Sequence, residues 1–170
     1  ARALAECSFV AGKTHDAAAA YTTAFDLDPA LGTSQDLSYF AEARAAGGDV
    51  DGAVGLLQEA LRRAPYEPGL HAKLGDLLRR EGAIAEAYYE ALHEVLLQGV
   101  ESSYAPAVVV MQDALVKEAR QTPKAAAAHE ILLVASAFAN FERGEAHKAL
   151  HQVQAAFAVS HTSSPVLLFL

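Results

Sequence analysis

The fold is decided by residues 40–65, which read FAEARAAGGDVDGAVGLLQEALRRAP. Ala53 and Ala60 follow Gly48 at five and twelve residues, and Pro65 follows it at seventeen. Glycine can end a helix because it adopts a left-handed conformation at little cost, whereas proline stops the helix that precedes it. The stretch therefore predicts two helices joined by a turn at Gly48, with alanines where helices must approach closely.

The same landmarks recur along the chain with a period of 34 to 36 residues. In chain order the turn glycines are Gly12, Gly48 and Gly82, the first alanines Ala17, Ala53 and Ala87, the second alanines Ala24 and Ala60, the closing prolines Pro29 and Pro65, and the apolar residues eight positions before each glycine Leu4, Phe40 and Leu74. A single hairpin of this kind cannot bury its apolar stripe, so we expect successive hairpins to stack.

These residues resemble the tetratricopeptide repeat (TPR) family. Leu74-Gly75 matches its Leu-Gly pair, Leu27-Asp28-Pro29 matches its repeat ending, and Tyr21 stands at the aromatic site of the second helix. The copies depart from the family pattern at the first-helix aromatic, which is Ala1, Leu37 and His71, and at its tyrosine site, which is Ser8, Arg44 and Leu78. The resemblance implies an all-α fold, an α-solenoid of stacked antiparallel helix hairpins that form a right-handed superhelix.

A fourth copy follows an irregular segment. Gly144 is followed by Ala149 and Ala156 at the same offsets as in the first two copies, with His161 at the proline site, and Pro165 begins a final apolar run. We interpret all 170 residues as one solenoid fragment of a longer protein, because the chain lacks an initial Met and ends in that apolar run. Its expected parts are repeats at about 1–31, 34–67 and 68–99, an irregular helix in 100–123, a repeat at about 124–163 and a further helix starting at 164–170.

Composition narrows the classes of partner. The net charge of −8 argues against nucleic acid and anionic membranes, both of which favour basic patches. No apolar stretch is long enough for direct membrane insertion. The pattern of a signal peptide, a positive segment followed by an apolar core, is not seen either, but this means little in a fragment. The compartment stays open, with the cytoplasm as the default expectation. The lone Cys7 is predicted to be a small buried residue of a helix.

Acidic residues recur at one offset, six residues before each turn glycine: Glu6, Glu42 and Asp76. In the TPR family the first helices line a concave groove that holds a partner segment. Equivalent places on stacked helices form a row, so we expect these carboxylates to face a basic segment of a protein or peptide partner. The alternative is a solvated charged face.

Three further residues are candidates for partner binding. Tyr66 is either an aromatic anchor at the groove edge or a packing residue between repeats. Arg79 offers positive charge beside Arg80, and Phe138 stands at the acidic-row position of the fourth repeat. The Lys, Asn and Arg clamp by which some TPR proteins bind chaperone termini is absent from the matching positions.

The sequence lacks the patterns of a catalytic centre, and we predict that the chain is not an enzyme and has no cofactor. His147 and His151 share a helix face, but no third ligand accompanies them, so we predict no metal site. The expected function is a protein–protein interaction module, a scaffold or an adaptor. Two alternatives remain open: a regulatory or substrate-recruiting domain of a larger enzyme, and a structural solenoid that self-assembles as a homo-oligomer through its C-terminal end.

Overall fold

The computed structural model describes residues 2–28, 32–99, 102–126 and 129–159, and within them the side chains of 124 and 125 are not described. All the regular secondary structure of these residues is helical. The helices are α1 (Arg2–Val10), α2 (Thr14–Leu27), α3 (Ser34–Ala46), α4 (Val50–Arg63), α5 (Leu70–Arg80), α6 (Ile84–Gln98), α7 (Ala105–Gln121), α8 (Pro123–Ala126), α9 (Glu130–Glu142) and α10 (Ala146–Val159).

The predicted turns lie at the predicted glycines. Gly12, Gly48, Gly82 and Gly144 have φ angles of 73°, 88°, 80° and 75°. Such angles are strained for residues with a Cβ, which explains why glycine recurs at these turns. The closing role of proline is confirmed in the second repeat, where α4 ends at Arg63, two residues before Pro65. Ala1, Pro29, His161 and the run from Pro165 to Leu170 lie outside the described residues.

The alanines five residues after each turn glycine are all buried. Ala17, Ala53 and Ala87 have no exposed surface, and Ala149 is 6% exposed. A larger side chain at these positions would have to displace its neighbours, because protein interiors are close-packed. The burial confirms that the repeated alanine marks close packing of the helices.

Contacts divide the chain into two compact units, Ala1–Arg80 and Glu81–Leu170. In unit 1, α1 and α2 form one hairpin, α3 and α4 form the next, α2 packs against α3, and α4 packs against α5. One apolar cluster of this unit is built by α3, α4 and α5, from Leu37, Ala41, Ala53, Leu57, Ala60, Leu70, Leu74 and Leu77. A second cluster joins Ala5, Tyr21 and Phe40.

Unit 2 contains the irregular part of the chain. The long helix α7 packs against both α6 and α9, and α9 forms a hairpin with α10. A polar ladder crosses these helices: the Tyr88 hydroxyl donates to Oε1 of Gln112 at 3.3 Å, and Nε2 of Gln112 donates to Oε2 of Glu142 at 3.0 Å. Tyr88 and Gln112 are both buried, so each supplies a partner that the other needs.

One expectation about α1 is wrong, because Cys7 is exposed and not buried. Leu4, the apolar residue eight positions before the turn glycine, is also 65% exposed. Ala5 is the buried residue of this helix. Because a helix turns about 100° per residue, Cys7 lies about 200° around the helix from Ala5 and Leu4 about 100° from it. Both side chains therefore lie away from the packed side of α1.

Candidate partner-binding cleft

A cleft of about 300 Å³ lies in unit 1, between α3 and α5. Its described lining comprises Glu42, Ala45 and Ala46 from α3, Leu57 from α4, and Lys73, Asp76, Leu77 and Arg80 from α5. The charged residues are two carboxylates and two cations, and the remaining ones are apolar. A volume at the lower end of the range for binding pockets suits side chains of a bound segment.

The side chain of Lys73 on α5 reaches α3 and places a positive charge beside Glu42 in this cleft. Its ammonium group lies 2.6 Å from Oε1 of Glu42 and donates to Oγ of Ser38 at 2.7 Å. It also lies 5.9 Å from the centroid of the Tyr39 ring. Ser38 is fully buried, so this cation satisfies a hydroxyl that water does not reach.

The aromatic ring of Tyr39 extends the same set of contacts to α1. It stacks on Phe9 with ring centroids 4.7 Å apart. Tyr39 and Lys73 both stand nine residues before their turn glycines, so the repeat places them at equivalent positions. Phe9, Tyr39 and Lys73 thus connect the three first helices of unit 1 side by side.

A buried carboxylate holds the start of α3 and joins it to α1. Asp36 accepts from the backbone N–H of Thr33 at 2.8 Å, which with the Thr33 hydroxyl forms a capping box. The Arg2 guanidinium lies 2.9 Å from its Oδ2. Burial alone would raise the pKa of Asp36, but the Thr33 hydrogen bonds and Arg2 outweigh it, and the pKa is lowered.

The predicted acidic row is brought together in part. Glu42 and Asp76 line the same cleft, and their side chains are 40% and 43% exposed. Glu6 is exposed on α1 but is not part of the cleft lining. Its carboxylate instead influences Tyr21. The pKa of the Tyr21 phenol is raised to about 12, mainly by burial and further by the negative charges of Asp36 and Glu6. The cleft therefore holds two of the three predicted acids.

The other predicted binding residues lie in different surroundings. Arg79 lies 3.5 Å from Oδ1 of Asp76, one turn away on the same helix. Tyr66 is 74% exposed in the turn before α5, so it is available to a partner and does not pack between repeats. Phe138 is half-buried on α9, in unit 2.

Lys73 and Arg80 supply the positive half of the cleft. Lys73 was not among the residues predicted from the sequence, and Arg80 was mentioned there only as the neighbour of Arg79. A signal for Lys73 was present, because it precedes Asp76 by three residues and so shares its helix face. The ion pair with Glu42 bridges 31 positions of sequence, and a period of 34 to 36 residues does not specify a pair at that separation.

In the described ranges, no three side chains of His, Cys, Asp or Glu come together as a metal site would require. His147 and His151 are exposed on α10, beside Lys148 and Gln152. None of the helices in the described part of the chain has the length and apolarity of a bilayer span.

Comparisons with known proteins support the fold. No family model and no curated protein matches the chain. The crystal structure of MamA, a protein that contains tetratricopeptide repeats, matches over 92% of this chain and 94% of its own. The TM-score is 0.58 and the sequence identity is 13%. The likeness and the helix hairpins together confirm the predicted fold class, an α-solenoid.

Proposed function

We propose that this chain is a protein-interaction module and that a segment of its partner binds in the cleft between α3 and α5. The observation that carries the proposal is the charge arrangement of the cleft, in which Glu42 and Asp76 lie with Lys73 and Arg80 around an apolar floor. Such a surface offers both acceptors and donors to an extended peptide backbone and its side chains. The solenoid fold, which exposes equivalent faces of successive helices, suits this role.

The partner segment is expected to carry Lys or Arg. Glu42 is paired with Lys73 and Asp76 with Arg79, but the side chains of both acids remain about two-fifths exposed. A partner cation between them would relieve the repulsion of two like charges that line one cleft. Each such pair contributes about 0.2–1 kcal/mol and weakens as salt increases. Exposed Tyr66 is a candidate contact for an apolar side chain of the same partner.

The experiment is an affinity capture from cells of the source organism, with quantitative mass spectrometry. The test variant is Glu42→Gln/Asp76→Asn, and the matched control is Asp51→Asn/Glu86→Gln, which removes two exposed carboxylates from α4 and α6. A partner should bind the wild type and the control equally and be depleted about fivefold with the test variant. About a fivefold loss is the effect expected from removing two weak ion pairs. If both variants capture the same proteins in equal amounts, the cleft is not the binding site.

The purified partner permits a second measurement, the association rate as a function of salt. Long-range attraction between opposite charges accelerates association at low salt. The test variant should therefore associate more slowly and show a flatter salt dependence, with a loss of stability of no more than about 1 kcal/mol from the missing Lys73–Glu42 ion pair. An equal rate for wild type and variant at every salt concentration would exclude a basic partner segment.

The alternatives from the sequence make different predictions for the captured material. A recruiting domain of a larger enzyme would have its chemistry elsewhere in the full-length chain and would capture a substrate of that enzyme. A self-assembling solenoid would capture its own chain, and light scattering would show a mass that rises with concentration. Exposed Leu150 and Phe157 on α10 are apolar residues that such an interface would cover.

A further inference from the structure

Unit 2 contains a second pocket whose charge is opposite to that of the rest of the unit. The pocket has a volume of about 430 Å³. It is lined by residues of α7, α8, α9 and α10 and by Arg143, the C-cap residue of α9. We call it the α7–α9–α10 pocket. Val116, Leu132 and Leu133 belong to its apolar part, and Arg120, Arg143 and His151 are its basic residues.

The charge distribution is the first line of support. Residues 81–170 contain ten Asp and Glu but only five Lys and Arg. Two of those five, Arg120 and Arg143, line the α7–α9–α10 pocket, whereas no carboxylate does so among the described residues. Although unit 2 is acidic, the described charged residues that line the α7–α9–α10 pocket are positive.

The second line of support is the lack of ion-pair partners for the guanidinium groups of Arg120 and Arg143 among the described residues. Most cations of unit 1 are in ion pairs, among them Arg2 with Asp36 and Lys73 with Glu42. Within the described residues, neither Arg120 nor Arg143 forms an ion pair or a side-chain hydrogen bond. A guanidinium has five N–H donors in a planar fork that matches a carboxylate, so both groups have donors to offer a ligand.

A hydrogen bond between α9 and α10 holds the pocket lining in place. Nδ2 of Asn140 on α9 donates to Oε1 of Gln152 on α10 at 2.6 Å, which holds the two helices together at the pocket. Arg120 lies in the last turn of α7, and Arg143 is the C-cap of α9. The negative ends of these helices favour cations there, but that attraction leaves the fork of each guanidinium free for a bidentate contact.

We propose that the α7–α9–α10 pocket is a docking surface for an acidic protein segment that carries an apolar anchor. The anchor enters between Val116 and Leu133, and Asp or Glu side chains beside it meet Arg120 and Arg143. Charge complementarity selects this occupant: a basic segment would be repelled, and a neutral one would leave both guanidinium groups unused. Nucleic acid is disfavoured by the excess of carboxylates in unit 2. The proposal does not depend on the cleft between α3 and α5.

The test uses the whole chain and an array of fifteen-residue peptides. Acidic and apolar content vary independently in the array, which gives acidic peptides with an apolar residue, neutral ones with it, basic ones with it, and acidic ones without it. The chain is expected to bind the first class most strongly. The variant Arg120→Gln/Arg143→Gln should weaken that binding by about fivefold, in the range that two exposed ion pairs produce, as measured by fluorescence anisotropy.

Two further variants separate the pocket from general charge. Lys13→Gln/Lys117→Gln removes the same charge from exposed positions that do not line the pocket, and it should bind the acidic peptides as the wild type does. Ser136→Leu adds an apolar side chain within the pocket lining without changing the charge, and it should also weaken binding. Circular dichroism of each variant verifies that it is folded.

Four results would overturn the proposal. The first two are equal binding of all peptide classes, and a loss of binding in the Lys13/Lys117 control as large as that in the Arg120/Arg143 variant. The third is binding of vesicles that contain phosphatidylserine without binding of any acidic peptide. The fourth is no binding of any peptide.

Discussion

The two units of this protein solve the same packing problem with different polar contacts. In unit 1 the repeat is regular, and successive first helices are joined by ion pairs, Arg2 with Asp36 and Lys73 with Glu42. In unit 2 the helices are joined by hydrogen bonds from Tyr88 through Gln112 to Glu142, of which the Tyr88–Gln112 bond is buried. The difference teaches that the regular first helices are connected by ion pairs, whereas the irregular helix α7 is connected to its neighbours by the hydrogen bonds of Gln112.

The same difference extends to the surfaces available to partners. The cations of the cleft in unit 1 lie among carboxylates of their own chain. Arg120 and Arg143 in unit 2 have no such neighbours in the described lining of their pocket. The first surface therefore offers mixed charge, and the second offers positive charge alone.

The largest effect on this comparison is expected from overpacking the shared alanines. Ala53→Leu in unit 1 and Ala87→Leu in unit 2 should each destabilise the protein by roughly 1–3 kcal/mol, because neither alanine has exposed surface. Thermal denaturation measures the loss, and hydrogen exchange locates it. The exposed Ala19 and Ala114, changed to leucine, are the controls and should change stability little. Unchanged stability in both test variants would mean that the repeat register is wrong.

A comparable effect, confined to unit 1, is expected from Asp36→Asn. Hydrogen bonds to a charged group contribute about 1.5–3 kcal/mol, so we expect a loss of about 2 kcal/mol at neutral pH. The lowered pKa of Asp36 means that its charge stabilises the fold above the unfolded-state pKa of about 3.9, and that this stability is lost as pH falls through the lower folded-state value.

The difference between wild type and Asp36→Asn should therefore shrink at acid pH. Denaturant unfolding at pH 7 and at about pH 3 measures it. Gln112→Leu in unit 2 is the comparison, because its neutral amide does not titrate, and its cost should differ less between the two pH values. A constant cost for Asp36→Asn across pH would show that its ionised form is not what stabilises α3.

The smallest effect is expected at the turns, where the units should behave alike. Gly48 and Gly144 have φ angles of 88° and 75°, and a Cβ at either position would meet no atom within 4 Å. Alanine therefore incurs only the backbone strain of the left-handed conformation, about 1 kcal/mol. Chemical denaturation of Gly48→Ala and Gly144→Ala should give equal losses. A loss at one turn only would mean that the two units do not use the glycine in the same way.

Most of the fold could be predicted from local chemistry that recurs at a fixed period. The turn glycines require positive φ wherever a hairpin turns, and the alanines are small wherever helices meet, so both can be read from residue type and spacing. The same spacing placed Glu42 and Asp76 at equivalent positions of α3 and α5, and both line one cleft.

The contacts of single side chains depended on the tertiary structure. Lys73 reaches Glu42 and Ser38 because of how α5 packs beside α3, and residue spacing does not set the reach of a flexible side chain. The exposure of Cys7 follows from which side of α1 packs against its neighbours, and a short helix with one buried residue has too weak a pattern to show that side. The α7–α9–α10 pocket combines residues from Val116 to Gln152, which lie outside a common repeat offset and meet only when the helices pack.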